Sequence, residues 1–279
     1  MSAILIDGKS LAAKVKEEVR LGVASMRRKP GLAVIIVGND PASRIYVDGK
    51  KRDCDLCGIY SEEHALPETI GQEQVLDLIE QLNEREEIDG ILVQLPLPDQ
   101  LNARTIMRAI RPDKDVDSLH PYNVGKLLNG EEGSSPCTPA GVIRMLEEYG
   151  VDPAGKNCVV IGRSNLVGKP MAVLMLRKNA TVTICHTATA DLADQCRRAD
   201  ILISAAGCEG LVTPDMIKPG AVIIDVAINR RNDGTLCGDV CGEAADIASK
   251  LTPVPGGVGP MTRAMLMKNT LYAARNHGK

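Results

Sequence analysis

"NCVVIGRSNLVGKPMAVLMLRKNATVTICH", residues 157–186, decides how the fold is read. A β-branched run, Val159-Val160-Ile161, stops at Gly162. A loop carrying Arg163 and Ser164 leads to Gly168, a helix-like apolar stretch follows, and a second β-branched run ends at His186. Strand, glycine turn, helix and strand form the unit that sets a dinucleotide pyrophosphate against free backbone N–H groups at the positive end of a helix. The match to G-x-G-x-x-G is partial, because Ser164 replaces the second glycine and one extra residue precedes Gly168. Taken alone, the loop fits an ordinary tight turn as well. The next strand adds a second signal. A site for the ribose hydroxyl of NAD places Asp or Glu near that strand's end; here the chain reads His186-Thr187-Ala188-Thr189, with no carboxylate. Arg163 offers the planar fork that suits a 2′-phosphate. The cofactor indicated is NADP.

Outward from this unit, strands and helices keep alternating. Toward the C-terminus come "DLADQCRRAD" as helix and "ILISAAG" and "AVIIDVAI" as strands. Toward the N-terminus, "GLAVIIVG" and "GILVQLPLP" read as buried strands between helical stretches such as "SLAAKVKEEVRLGVASM", "RIYVDGKKRDCDLCGI" and "EQVLDLIEQLNE". Such alternation implies an α/β fold built on parallel sheets. The series changes at "SSPCTPAG", so the boundary is expected near residues 136–141. The expected domains are 1–138 and a Rossmann-like 139–259. The helical tail over 260–279, with its Gly-Pro start, returns to the first domain.

Composition excludes several classes. With 33 basic against 36 acidic residues and a net charge of −3, the chain has no field to attract nucleic acid or an anionic membrane. No basic start precedes an apolar segment, and no apolar run approaches the roughly 18 residues of a membrane span, so a cytoplasmic location is expected. Nine cysteines, an odd number scattered through regular elements, argue for free thiols. "CDLC" at 54–57 lacks the second pair of a zinc site, and "PDKDVDS" at 112–118 lacks the glycine and terminal Glu of a calcium loop; no metal is expected. Phe and Trp are both absent, so the core must be filled by aliphatic side chains.

Tyr46 and Lys50 stand four apart in one helical stretch and so project from one face. Tyr-x-x-x-Lys is also the signature of the short-chain dehydrogenases, but there the nucleotide loop opens the chain, whereas here it follows Lys50 by over a hundred residues. Read alone, the pair is equally a surface lysine beside a half-buried tyrosine. Gln94, directly after an apolar strand, could cap a sheet edge or face a ligand beyond the strand's carboxyl end. His120 fits a loop residue bonded to backbone, and "PGGVG" fits a flexible turn.

The order of "YVDGKKRDCDLCGI", "DGILVQLPLP", "PDKDVDSLHPYNVGKL", "PCTPAGV", "VVIGRSNLVGKPM" and "TPVPGGVGPMT" resembles the bifunctional methylenetetrahydrofolate dehydrogenase/cyclohydrolase family along essentially the whole chain. The resemblance implies an α/β protein of two domains with a cleft between them: an N-terminal folate-binding catalytic domain and a Rossmann-like NADP-binding domain. It implies oxidation of 5,10-methylenetetrahydrofolate to the methenyl form, hydrolysis of that to 10-formyltetrahydrofolate, supply of purine biosynthesis, and a homodimer. By motif position, Lys50 corresponds to the catalytic lysine and Gln94 to its hydrogen-bonding partner. Tyr46 corresponds to the aromatic that stacks on the folate, and Asp117 to the pterin anchor. Gly257, Val258 and Pro260 fall in the loop facing the folate. Gly162, Arg163, Ser164, Thr187 and Ile228 fall at the cofactor. The rival readings are a monofunctional dehydrogenase and a catalytically silent folate or nucleotide sensor.

The chemistry matches these residue types. Hydride transfer needs alignment and no protein base, whereas opening the methenyl ring needs proton movement. Lys50 serves there only when neutral, and an uncharged partner such as Gln94 does not fix its charge. Three positions depart from the family pattern: Ser118 where glycine is usual, Ala227 for the glycine of "GINR", and Gly242 for an aromatic after "GDV". If position 118 needs a positive φ, Ser118 is strained by about 1 kcal/mol or more.

Overall fold

A computed structural model describes residues 3–277. In chain order the first elements are β1 (Ile4–Leu5), α1 (Gly8–Ala24), β2 (Gly31–Val37), α2 (Pro41–Cys57), β3 (Tyr60–Leu66), α3 (Gln72–Glu84), β4 (Gly90–Val93), α4 (Ala103–Ala109), α5 (Pro121–Asn129) and α6 (Cys137–Glu148). There follow β5 (Asn157–Ile161), α7 (Gly168–Arg177), β6 (Thr181–Cys185), α8 (Leu192–Arg197), β7 (Ile201–Ser204), β8 (Val222–Asp225), β9 (Asn229–Arg230), β10 (Leu236–Cys237), β11 (Lys250–Leu251) and α9 (Val258–Asn276). The chain forms two compact units, one from Ala13–Cys137 with the residues from Arg263 on, the other from Thr138–Thr262 with the residues up to Ala12.

The first unit is built on a parallel sheet of order β3-β2-β4. β2 is its centre, buried at all seven positions, which is why "GLAVIIV" is uninterrupted apolar sequence. α3 packs Val75, Ile79 and Leu82 on that sheet beside Ile88 and Ile106. β3 is an edge strand whose sequence, Tyr-Ser-Glu-Glu-His-Ala-Leu, is polar on both faces; Arg44 holds Glu63 and Arg85 holds Glu62, both at 2.6 Å. Without apolar alternation it leaves no strand signal in the sequence, and charged side chains suit an edge.

The second unit carries a parallel sheet of order β1-β11-β8-β7-β5-β6. β6 and β7 lie on opposite sides of β5, so the chain reverses direction across the sheet there, and ligands bind at such switch points beyond the strand carboxyl ends. Its core is aliphatic and includes the buried thiols Cys185 and Cys196. One boundary differs from the expected one. β1 pairs in parallel with β11, Ile4 opposite Lys250 and Leu5 opposite Leu251, so the N-terminal strand belongs to this sheet although it precedes the other unit in sequence. Two residues of strand are too few to show a period.

Candidate active site

α2 positions the Lys50 centre. Asp40 caps it by accepting from Ser43 N at 2.7 Å, Pro41 occupies its first turn, and Gly58 closes it in the left-handed conformation at φ 75°. Lys50 is half-buried, and its Nζ donates to Gln94 Oε1 at 2.8 Å. Gln94 directly follows β4, where its backbone N–H donates to Ile35 O at 2.8 Å. Its side-chain Nε2 donates to Leu95 O at 2.6 Å, which turns the amide oxygen toward the lysine. Burial holds the Lys50 amine below its ordinary range and the Asp117 carboxylate opposes that effect. Tyr46 lies one turn before, 39% exposed; burial raises its phenol, so it stays protonated near neutral pH. Of the pair, Lys50 carries the amine whose charge its surroundings disfavour, and Tyr46 presents a half-exposed ring with a hydroxyl tip.

The acidic run 113–117 divides its labour. Asp113 is exposed and pairs with Arg111 at 2.9 Å. Asp115 is buried, accepts from His120 N at 2.7 Å and Asn123 Nδ2 at 2.9 Å, and so ties the loop to α5, whose first turn His120 caps through Nδ1. Asp117 is half-buried in the same unit as Lys50. Buried Asn269 of α9 fixes its neighbour, donating to Val116 O at 2.8 Å and to Ser135 O at 2.9 Å. Among the described residues no group of three or more His, Cys, Asp or Glu could hold a metal ion.

The loop after β5 is a backbone cradle. Gly162 has φ 115°, a region closed to other residues, and a Cβ there would strike the Ala205 carbonyl. A Cβ at Gly168 would strike the Gly162 carbonyl, so α7 starts hard against the strand end. Ser164 Oγ accepts from Val167 N at 3.1 Å and Gly168 N at 3.4 Å, leaving its own hydrogen to donate outward. Arg163 is exposed, with no carboxylate partner among the described residues; Thr187, just past β6, is exposed too. A bound phosphate fits this cradle and its free donors. Gly257 directly precedes α9, and Val258 and Pro260, expected in a loop, lie in its first turn in the same unit; Gly257 is required because a Cβ would meet the Pro253 carbonyl. Ile228 is brought to them: its Cδ1 is 3.5 Å from a Cβ built on Gly259.

Residues 6–117 match the tetrahydrofolate dehydrogenase/cyclohydrolase catalytic domain, and residues 136–278 match the NAD(P)-binding domain of the same enzymes. The chain belongs to the tetrahydrofolate dehydrogenase/cyclohydrolase family. It is 56% identical over 277 residues to the bifunctional protein FolD of Ruminiclostridium cellulolyticum, covering 98% of both chains. Among solved structures it resembles the bifunctional FolD enzyme of Campylobacter jejuni, with a TM-score of 0.97, 48% identity and 99% of each chain covered. It also resembles the Trypanosoma brucei FolD complexed with NADP cofactor and inhibitor, with a TM-score of 0.94, 40% identity and 99% and 98% covered.

The departures from the tetrahydrofolate dehydrogenase/cyclohydrolase pattern take defined places. Ser118 has φ 57°, the left-handed region expected for a glycine, and its Oγ donates to Ser134 Oγ at 2.6 Å, which offsets part of the strain. Ala227 is buried with no positive φ, so glycine is not required there. Gly242 lines a cavity of about 590 Å³ with Glu209, Arg231 and Cys237, and a Cβ on it would meet nothing within 4 Å.

Two buried carboxylates escaped sequence reasoning. Asp239 is fully buried; Oδ2 accepts from Ser204 Oγ and Ala206 N, both at 2.8 Å, and Oδ1 from Cys208 N at 2.7 Å, so it shapes the turn after β7. Asp225 ends β8 and accepts from Asp239 N at 3.1 Å and Val240 N at 3.0 Å; burial pushes its carboxyl up to about 6. The signal was the carboxylate in "VIID" closing an otherwise apolar strand.

Proposed function

We propose that this protein is a bifunctional one-carbon folate enzyme, oxidising 5,10-methylenetetrahydrofolate to the methenyl form with NADP and hydrolysing that to 10-formyltetrahydrofolate. The observation that carries the reading is the Lys50–Gln94 hydrogen bond at 2.8 Å, with an amine held below its ordinary range by burial. A silent sensor has no use for such a pair, and a dehydrogenase alone needs no base.

Tyr46 offers its ring to the folate's aminobenzoate, and Asp117 accepts from the pterin's N–H groups. Gly257 and, in the first turn of α9, Val258 and Pro260 face the folate. When bound, NADP supplies the acceptor for the hydride of the methylene carbon. Gly162, Ser164 and Thr187 would hold its phosphates with N–H and O–H donors, Arg163 its 2′-phosphate, and Ile228 would pack beside its nicotinamide. In the hydrolytic step neutral Lys50 takes a proton from the water that adds to the methenyl carbon. It returns that proton to the ring nitrogen as the carbon–nitrogen bond breaks, and the remaining hydroxyl proton leaves to solvent as the formyl C=O forms, the one proton that hydrolysis of the methenyl cation releases. Gln94 holds the amine in both charge states because its oxygen accepts from –NH₂ and –NH₃⁺ alike.

A reducing, cytoplasmic setting is supported by nine free cysteines. A homodimer is supported by β3, an edge strand with β2 on one side and no second neighbour among the described residues. A role in purine biosynthesis follows from the formyl product.

The test is to incubate the protein with methylenetetrahydrofolate and NADP and to follow methenyl and formyl products separately. Both are expected in sequence. Methenyl without formyl would leave a monofunctional dehydrogenase, and neither product would leave a binding protein.

A further inference from the structure

Gly49 lies inside α2, where glycine costs about 1 kcal/mol relative to alanine. The reason is a guanidinium. A Cβ on Gly49 would collide with Nη1 of Arg263, whose Cζ and Cδ lie 3.2 and 3.5 Å from that position. One turn along the helix, Arg263 Nε stands 3.3 Å from Oδ2 of buried Asp53. That oxygen has no hydrogen bond, while Oδ1 accepts from Lys16 Nζ at 2.8 Å. Gly49 and Lys50 each stand three or four residues from both Tyr46 and Asp53, so the Arg263 side chain runs along the helix face that presents Lys50. All belong to one compact unit. Asp53 carries one negative charge between two cations, so a net positive charge remains beside the Lys50 amine.

We propose that Arg263, seated by Asp53 and admitted by Gly49, is a positioning residue of the Lys50 centre: its fixed charge adds to burial in favouring the neutral amine, able to take a proton in the hydrolytic half of the reaction. The catalytic use of that neutrality rests on the function proposed above. The groups facing Lys50 are Tyr46 and Cys54 on α2, Gln94 after β4, Asp117 on its loop, Cys137 at the start of α6 and Arg263 on α9. Burial raises both thiols, so they stay uncharged near neutrality. The contest is then between burial and Arg263 on one side and Asp117 on the other, and Arg263 acts in the direction that lowers the amine.

The experiment follows the Cε resonance of Lys50 against pH in ¹³C-lysine protein without ligands, assigned by its loss in Lys50→Met, alongside the pH profile of cyclohydrolase kcat. Arg263→Met should move the Lys50 midpoint to higher pH. On the acidic limb it should lower kcat by ~3–10-fold, the size of removing one charge beside a half-buried amine. Arg263→Lys should keep both near wild type. Gly49→Ala, which displaces the guanidinium without removing it, should move the midpoint in the same direction by less. An unmoved midpoint in Arg263→Met, or Arg263→Lys behaving as Arg263→Met, overturns the proposal; if Arg263→Met does not fold, an unmoved midpoint in Gly49→Ala does so. The resonance decides the role of Arg263 even if wild type releases no formyl product, which would overturn the function and leave the electrostatic assignment standing.

Discussion

At the proposed Lys50 centre the groups are side chains: an amine on α2, an amide at the end of β4 and a carboxylate in the loop between α4 and α5, with the amine and amide joined by a hydrogen bond across 44 positions in sequence. At the Gly162 loop they are mostly backbone, a glycine turn packed so tightly that added carbons strike carbonyls. Both lie beyond the carboxyl ends of parallel strands, yet they fail in different ways. A side-chain centre loses chemistry when one atom changes and keeps its shape; a backbone cradle tolerates side-chain change and loses affinity by increments. Substitutions can break or sharpen that contrast.

The largest expected effect is at Lys50. Lys50→Met keeps bulk without a titratable amine, so cyclohydrolase activity should fall ~10²–10⁴-fold. Dehydrogenase activity should fall less, and methenyl product should accumulate. Equal losses in both rates, measured by following the two products, would make Lys50 a structural residue and erase the contrast.

Arg163→Ala probes the cradle's charged side chain. It should weaken NADP by ~1.5–3 kcal/mol, the value of a charge-assisted phosphate contact, and leave NAD nearly unchanged. Titration calorimetry with both cofactors checks it; equal weakening would sink the assignment of the 2′-phosphate.

Asp225 tests whether the cradle's unit holds a hidden titration. Its folded-state carboxyl sits at about 6, above the usual 3.8, so the folded form keeps a proton longer than the unfolded chain. Its contribution to stability is present below pH 4 and is lost as pH rises through about 6. Asp225→Asn should therefore flatten the pH dependence of stability between these values, by at most ~2–3 kcal/mol. Urea titrations at pH 4.5 and 7.5 measure it.

Ser118→Gly should have the smallest effect, within ~1 kcal/mol, because relief of the φ 57° strain is set against loss of the hydroxyl contact with Ser134. A large gain in folate turnover would show that the loop next to Asp117 is strained enough to matter.

What could be read from the sequence follows the same division. β2, β4 and β7 are buried through, β5 is buried beyond Asn157, and all four announce themselves as apolar runs, while Gly162 and Gly168 mark the turn between strand and helix. The left-handed backbone at Ser118 was legible because glycine is the usual residue there. β3 was not, since an edge strand with charged side chains has no buried face to impose a period. The interior place of Asp239, and the line of Arg263 along α2, depend on partners more than 30 and 200 positions away, and local pattern carries no trace of such contacts. The resemblance to a known family supplied Lys50, Gln94 and Asp117 as a set; spacing alone supplied only that Tyr46 and Lys50 share a face.

The aliphatic core has an optical consequence. With no tryptophan or phenylalanine, the near-ultraviolet signal of this protein comes from five tyrosines, and four of them, Tyr46, Tyr60, Tyr122 and Tyr272, are between 39% and 59% exposed. The interior is spectroscopically dark, while one of the few emitters stands beside Lys50. Quenching of Tyr46 emission should report folate arrival without any introduced dye, and a Tyr46→Leu protein should lose that signal while Tyr60, Tyr122 and Tyr272 keep theirs.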